Sequence, residues 1–268
     1  SRGGAPDAAD GEAGMGAFSG KVALVTGAAR GLGRVTALAF AREGAQVVFT
    51  DIDEAGGQET LEMVRAAGGE GMFLPLDVRR EQSAEEMVAK AVERYGRLDC
   101  AVNNAGVVRF APIIEETTES FDFHVDTNLR GVFYCMKHEI RQMMRNGGGS
   151  IVNQSSITGS LTGNATESLY AATKGGVDAL TKSVALEVAK HNINVNAIAS
   201  CGIDAPGDVF HQWMERENLT AEDVGKLFPI GRMGKAEELT GAVLYLCSEQ
   251  ARFIVGHLLV LDGGWIAH

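Results

Sequence analysis

Tyr170 and Lys174 stand four residues apart in the run Tyr170-Ala171-Ala172-Thr173-Lys174. On a helix, residues four apart share a face, so the phenol and the ammonium project the same way. A positive charge beside a phenol favours the phenolate and draws its pKa toward working pH, which suits an acid–base residue. Y-x-x-x-K is common by chance, and a plain surface pair has the same spacing. Further candidates sit upstream: Asn103-Asn104-Ala105-Gly106, Asn128, and the pair Ser155-Ser156, either of which can hold a substrate oxygen.

A second group points to a dinucleotide. Thr26-Gly27-Ala28-Ala29-Arg30-Gly31-Leu32-Gly33 follows an apolar run and opens a helical pattern. Glycine there lets the backbone approach a pyrophosphate, and the next helix offers unpaired N–H groups and its positive end to the anion. The spacing is G-x-x-x-G-x-G and not the commoner G-x-G-x-x-G, and an ordinary tight turn is the plain alternative. Asp51 lies 18 residues past Gly33, at the end of the next apolar run. A carboxylate at that place accepts hydrogen bonds from an adenosine ribose and repels a 2′-phosphate. Asp53 competes for the same role.

These residues need a frame that brings them together. Strand-like segments (22–26, 46–50, 72–76, 98–103, 150–154, 194–198, 258–261) alternate with helical patterns (to about 43, 56–67, 83–95, 120–145, 170–190, 236–248), with a looser stretch at 202–232. Such alternation predicts a Rossmann-type, doubly wound α/β fold: one parallel sheet of about seven strands with helices on both faces. The candidate residues then fall at the carboxyl ends of strands, where such sheets bind ligands. One domain is expected over 18–268, preceded by a Gly-, Ala- and acid-rich tail over 1–17 in which no signal or transit peptide can be read.

Bulk properties narrow the partners. Twenty-four Lys and Arg against 35 Asp and Glu give a net charge of −11, which disfavours nucleic acid and anionic membrane surfaces. No window resembles a membrane span. The four cysteines are scattered and the six histidines follow no ligand pattern, so no metal is expected and a reducing compartment is. The chain reads as soluble and cytoplasmic.

Taken together, T-G-x-x-x-G-x-G, N-N-A-G, Asn128, the serine pair and Y-x-x-x-K occur in the order and spacing of the short-chain dehydrogenase/reductase family, which residues 18–268 resemble. The resemblance implies a nicotinamide-dependent alcohol dehydrogenase or ketoreductase with a tetrad of Asn128, Ser156, Tyr170 and Lys174. Tyr170 would transfer the proton and Ser156 would hold the carbonyl oxygen. Lys174 would bind the nicotinamide ribose and depress the Tyr170 pKa, and Asn128 would anchor a water linking Lys174 to solvent. Ser156 is preferred to Ser155 because Ser156-Ile157-Thr158-Gly159 matches the family's S-x-x-G, although it lies 14 residues before Tyr170 where 13 is commoner. The implied cofactor set is Gly27, Arg30, Gly31, Leu32, Gly33, Asp51, Asp77, Val78, Asn104, Ala105, Gly106, Tyr170, Lys174 and Ile203. Asp77-Val78 would meet the adenine and Asn104 the neighbouring ribose. Asp51 favours NAD, while Arg30 stands where NADP-dependent members of the family carry a phosphate-binding base. A homotetramer or dimer is implied.

Two departures stand out. Ser200-Cys201 replaces the family's Pro-Gly after the sixth strand, and Ala205 replaces the threonine that helps hold the nicotinamide carboxamide, which predicts a weaker or differently built grip. Cys201 has no base partner for a nucleophilic role. Residues 202–228 mix Phe210, Trp213 and other apolar residues with polar ones. A lid of short amphipathic helices is expected there, with Phe210 and Trp213 against the substrate; plugging the core or an oligomer contact is the plainer alternative. No Lys/Arg cluster occurs in the segment, so a neutral, largely apolar substrate is expected. The rival reading is a nucleotide-binding sensor or scaffold without turnover. Enoyl reductases with wider Tyr–Lys spacing and epimerases with a longer C-terminal region fit less well.

Overall fold

Short runs of Val, Ile, Leu and Ala between polar turns give strands buried on both faces. In β1 (Val22–Thr26), Ala23 and Val25 pack into one core cluster and Leu24 into the other, the two-residue alternation of a pleated strand. The computed structural model describes residues 16–267. Its main strands continue with β2 (Gln46–Asp51), β3 (Glu70–Pro75), β4 (Cys100–Asn103), β5 (Gly149–Ser156), β6 (Ile193–Ser200) and β9 (Leu258–Leu261). They form one seven-stranded parallel sheet in the order β3-β2-β1-β4-β5-β6-β9, as the alternation of elements predicted. A parallel pair of two-residue strands, β7 (Ile203–Asp204) and β8 (Gly234–Lys235), stands apart from it.

The helices are α1 (Gly31–Arg42), α2 (Glu54–Ala66), α3 (Glu81–Tyr95), α4 (Thr118–His124), α5 (Gly131–Asn146), α6 (Ser168–Val188), α7 (Val209–Glu217), α8 (Ala221–Gly225) and α9 (Ala236–Cys247). Helices α1, α2 and α9 cover one face through Phe40, Leu61, Val64 and Leu246. Helices α3, α5 and α6 cover the other through Met87, Met136 and Val177. Each large side chain buried this way contributes about 1.5–3 kcal/mol. The chain order reverses between β1 and β4, which opens a crevice at the carboxyl ends of these strands.

Three segments add to or differ from the sequence expectation. The helix expected over 120–145 is broken: α4 runs into a π-helical turn, Val125–Arg130, before α5 begins. The looser stretch 202–232 contains β7, α7 and α8; Asp208 caps α7 by accepting from the His211 N–H at 2.9 Å, and Thr220 and Asp223 form a capping box on α8. Most of the expected tail lies outside the described residues, but Gly16 and Ala17 are docked: Ala17 N–H donates to the Glu43 carboxylate at 3.2 Å and Phe18 N–H to the Glu43 carbonyl at 2.9 Å.

One carboxyl is enclosed in the core. Glu139 of α5 is fully buried and accepts from Asn103 Nδ2 at 3.0 Å, while that amide also donates to Asn153 Oδ1 at 3.0 Å. Asn153 in turn donates to Thr181 Oγ1 at 2.9 Å, so a polar chain ties β4, β5, α5 and α6 together. Burial pushes the Glu139 carboxyl up to about 8 from an ordinary 4.5. Between those two pH values the folded chain keeps a proton that the unfolded chain releases, so this group makes stability fall as pH rises across the window. Glu139→Gln should therefore gain stability relative to the parent as pH increases from about 5 to about 8, read as a widening gap in chemical-denaturation midpoints. A constant gap across that range would show that Glu139 is ionised in the folded state.

Candidate active site

The crevice holds a cavity of about 540 Å³ that runs from Asp51 and Asp77 past Gly106 to Tyr170, Trp213 and Trp265. At one end is the turn between β1 and α1. Gly27 has φ +67°, and a Cβ there would come 2.7 Å from Ala105 Cα; a Cβ on Gly33 would overlap the Gly27 carbonyl oxygen. Only glycine permits this approach. No side chain caps α1 and no acidic residue lies in its first turn, so its N-terminus remains receptive to an anion.

The turn is stapled to β4. Thr26 Oγ1 accepts from Asn104 N–H and Ala105 N–H, both at 3.0 Å, and Asn104 Nδ2 donates to the carbonyls of Thr26 at 3.1 Å and Gly27 at 3.0 Å. Asn104, expected beside a ribose, thus has a structural task that the motif alone did not reveal.

Asp51 is half-buried at the end of β2. Its Oδ2 accepts from Ala29 N–H and its Oδ1 from Asp53 N–H, both at 3.0 Å. Each oxygen keeps a lone pair for a hydroxyl. Its competitor Asp53 is the N-cap of α2, accepting from Gly56 N–H at 3.0 Å, and is not among the residues lining the cavity. Arg30 lines the cavity, and its stem packs by Gly207, with Cδ 3.1 Å from where a Cβ on that glycine would stand. Asp77 is gripped by Arg79, with Nη2 at 2.7 Å from Oδ2, and that hydrogen bond holds its carboxyl below the usual range. Val78 is buried beside it, and both line the cavity. Gly31, Leu32, Ala105, Gly106 and Ile203 line it too.

Helix α6 brings Tyr170 and Lys174 under the carboxyl end of β5. Both are buried, at 7% and 4% exposure. Lys174 Nζ donates to the Gln154 carbonyl at 2.7 Å and lies 5.6 Å from the Tyr170 ring centroid. Strand alternation separates the two serines. Ser155 points back to α6 and donates to Asp178 Oδ1 at 2.5 Å. Ser156 faces the cavity, hydrogen-bonds the Tyr170 phenol, and accepts from Thr158 N–H at 3.1 Å. Asn128 is fully buried on the π-helical turn, donating to the Val107 carbonyl at 2.9 Å and to Thr173 Oγ1 at 3.1 Å, and accepting from Val107 N–H at 2.8 Å. A point one Cβ above Gly106 lies 3.5 Å from Asn128 Oδ1 and 3.6 Å from Lys174 Nζ. The four tetrad candidates therefore meet in one place.

The electrostatics correct one expectation. Burial lowers Lys174 to about 8, with Asp178 opposing. Burial also raises Tyr170 well above its ordinary value; the Ser156 hydrogen bond opposes the rise, and the nearby Glu167, Asp208 and Cys201 add to it. Desolvation of the phenolate, not the neighbouring ammonium, dominates Tyr170 here.

At the other end, Phe210 and Trp213 of α7 stack at 5.2 Å between ring centroids and line the cavity. They pack with Met214, Val224 and Phe228, so the cavity wall and the core of this segment are the same residues. Cys201 joins this cluster, and burial pushes its thiol up to about 12, which leaves it inert. Ser200, in place of the family's proline, extends β6 and accepts from Gln154 Nε2 at 2.8 Å. Ala205 is fully buried. Among the described residues no group of three or more His, Cys, Asp or Glu is placed to hold a metal, and no helix is long and apolar enough to cross a membrane.

This geometry has close counterparts. A family model described as "Enoyl-(Acyl carrier protein) reductase" matches residues 27–266. The sorbitol dehydrogenase of Cereibacter sphaeroides is 39% identical, over 93% of this chain and 99% of that protein. The cis-4-hydroxycyclohexanecarboxylate dehydrogenase of Sinomonas cyclohexanicum is 38% identical, over 94% and 98%. The crystal structure of levodione reductase superposes with a TM-score of 0.88 at 33% identity, covering 93% of this chain and 99% of that one. The chain belongs to the short-chain dehydrogenase/reductase family, whose members are oxidoreductases that use nicotinamide dinucleotides.

The two serines make different predictions. Ser155→Ala should lower stability by about 1–3 kcal/mol, because it deprives the buried Asp178 of a donor. Ser156→Ala should leave the denaturation midpoint nearly unchanged, and urea unfolding of the two variants checks the contrast.

Proposed function

We propose that this protein interconverts a secondary alcohol and a ketone with NAD(H), using Tyr170 as its proton-transfer residue. The observation that carries the reading is the convergence of Ser156, Tyr170, Lys174 and Asn128 at one end of a cavity whose other end carries Asp51 and an uncapped helix N-terminus. The dinucleotide, when bound, supplies the hydride acceptor or donor. The α1 N-terminus would take its pyrophosphate, and Asp51 would take the adenosine ribose hydroxyls.

Ser156 orients the substrate oxygen toward the phenol. Burial keeps Tyr170 protonated at neutral pH, which equips it to donate to a ketone oxygen; oxidation of an alcohol needs the proton to leave in the other direction. Lys174 gives one N–H to Gln154 and keeps two others for the nicotinamide ribose. Asn128 Oδ1 and Lys174 Nζ face a common point near Gly106, where one water can bridge them and relay the proton outward. The tilted pair Phe210 and Trp213 would close the apolar side of the substrate pocket and exclude water. Relatives named for a sugar alcohol and for a hydroxylated cyclohexane are consistent with a secondary alcohol. The four-residue Tyr–Lys spacing supports carbonyl over enoyl chemistry, in contrast to the description of the matching family model.

NAD is favoured over NADP because Asp51 repels a 2′-phosphate and Arg34 is engaged by Glu59 at 2.7 Å; Arg30, which lines the same cavity, is the residue that opposes this preference. The apolar patch of Val125, Leu129, Phe133, Gly176 and Leu180 on the outer side of α5 and α6 suits self-association into a dimer or tetramer.

Tyr170→Phe should reduce turnover by about 10²–10⁴-fold while leaving NAD affinity within about twofold, since proton transfer is lost and the ribose contacts are kept. Steady-state kinetics paired with calorimetric NAD titration measures both. Substantial turnover in that variant would remove Tyr170 from the role, and NAD binding without any turnover in the parent would favour a sensor. Asp51→Ala should narrow the ratio of kcat/KM for NAD over NADP by about tenfold or more; an unchanged ratio would place cofactor choice elsewhere.

A further inference from the structure

The cavity has a polar wall that neither the tetrad nor the dinucleotide end accounts for. Glu167 precedes α6 directly and stands three residues before Tyr170 and seven before Lys174, so all three share one face of the helix. Its side chain does not cap that helix. Instead Glu167 lines the cavity beside Asn164 and Thr158. Asn164 Nδ2 donates to Glu167 Oε2 at 3.3 Å and to Thr158 Oγ1 at 2.9 Å. Glu167, Tyr170 and Cys201 line the same cavity, and the carboxylate charge adds to the upward shift of both the phenol and the thiol.

The backbone before it is held in an unfavourable state. Thr166 has φ +67°, the left-handed region that a β-branched residue rarely adopts, and Ala111 N–H fixes it by donating to the Thr166 carbonyl at 3.0 Å. A loop with no task beyond reaching α6 could relax here. This one is held, and the residue that follows Thr166, Glu167, lines the cavity.

We infer that Glu167 is a specificity-determining residue that accepts a hydrogen bond from a second hydroxyl of the substrate, which makes the substrate class diols and hydroxy ketones with an apolar remainder. This rests on the alcohol–ketone reading of the same site. A hydroxyl fits better than an ammonium, because Arg216 of α7 already offsets the carboxylate charge from the rim, where it reaches Thr166 Oγ1 and stacks 4.1 Å over Phe110. A purely apolar substrate would leave this half-buried carboxylate facing carbon, and burial already raises its pKa. The opposite wall, with Phe210, Trp213 and Trp265, supplies the apolar contact.

The test compares kcat/KM for cyclohexane-1,4-diol and cyclohexane-1,2-diol with that for cyclohexanol, NAD saturating, in the parent, Glu167→Gln and Glu167→Ala. The parent should prefer at least one diol. Glu167→Ala should cost that diol about tenfold or more, chiefly through KM, and change cyclohexanol by less than about threefold. Glu167→Gln, which preserves shape and one acceptor, should fall between. An equal loss for diol and cyclohexanol would mean that Glu167 only positions the loop or Tyr170, and would overturn the inference. Turnover without any preference for a diol in the parent would overturn it as well, leaving the alcohol–ketone reading intact. Hydride transfer from none of the three would remove that reading, and the inference with it.

Discussion

Enclosure of the Lys174 ammonium is the constraint on which this site depends. A buried amine needs an acceptor, and the one it finds is the Gln154 carbonyl at 2.7 Å, near the carboxyl end of β5. Together with the Asn153–Thr181 and Ser155–Asp178 bonds, this bond joins α6 to the strand that carries Ser156, and thereby brings the phenol of Tyr170 to the serine. The same enclosure moves both titrating groups, drawing Lys174 down to about 8 and Tyr170 up. In the proposed reaction, a protonated phenol beside this ammonium would favour ketone reduction at neutral pH, and alcohol oxidation as pH rises.

The rest of the architecture serves to keep this pair dry and aligned. Helix α6 is held from behind by Asp178, which accepts from Ser155, and by Thr173, which accepts from Asn128. Behind the sheet's carboxyl edge, Asn103 of β4 bridges Glu139 of α5 and Asn153 of β5. Above, α7 and α8 bring an apolar cover whose own core is the Met214, Val224 and Phe228 cluster. The serine and cysteine that stand in place of the family's Pro-Gly are absorbed by this arrangement, one into a hydrogen bond with Gln154 and the other into the apolar cluster.

Much of this was legible in the residues. Tyr170 and Lys174 show themselves because helical periodicity is robust, and the glycine turn because Gly27 and Gly33 are the only residue type that fits. The parallel sheet follows from strands apolar on both faces. Other features left no sequence signal. A π-helical turn shifts hydrogen bonds by one residue without requiring any side-chain type, so the pattern at 120–145 read as one continuous helix. The choice between Ser155 and Ser156 depends on which face of β5 each occupies, and a motif settles that only by analogy. Asn104 reads as a ligand residue because its bonds to Thr26 and Gly27 cross 77 or 78 positions of sequence. Glu167 belongs to no motif of the sequence, and only the folded chain brings it to the cavity.

The central claim is that a hydride leaves the carbinol carbon of a secondary alcohol for the cofactor while the hydroxyl proton leaves through Tyr170. The most direct measurement uses the unmodified protein with NAD and a secondary alcohol deuterated at its carbinol carbon, followed by mass spectrometry of the nucleotide. The account predicts reduced nicotinamide that carries one deuterium from the substrate, with none exchanged into water. Bound NAD that remains unreduced, or deuterium that appears in solvent, would contradict it.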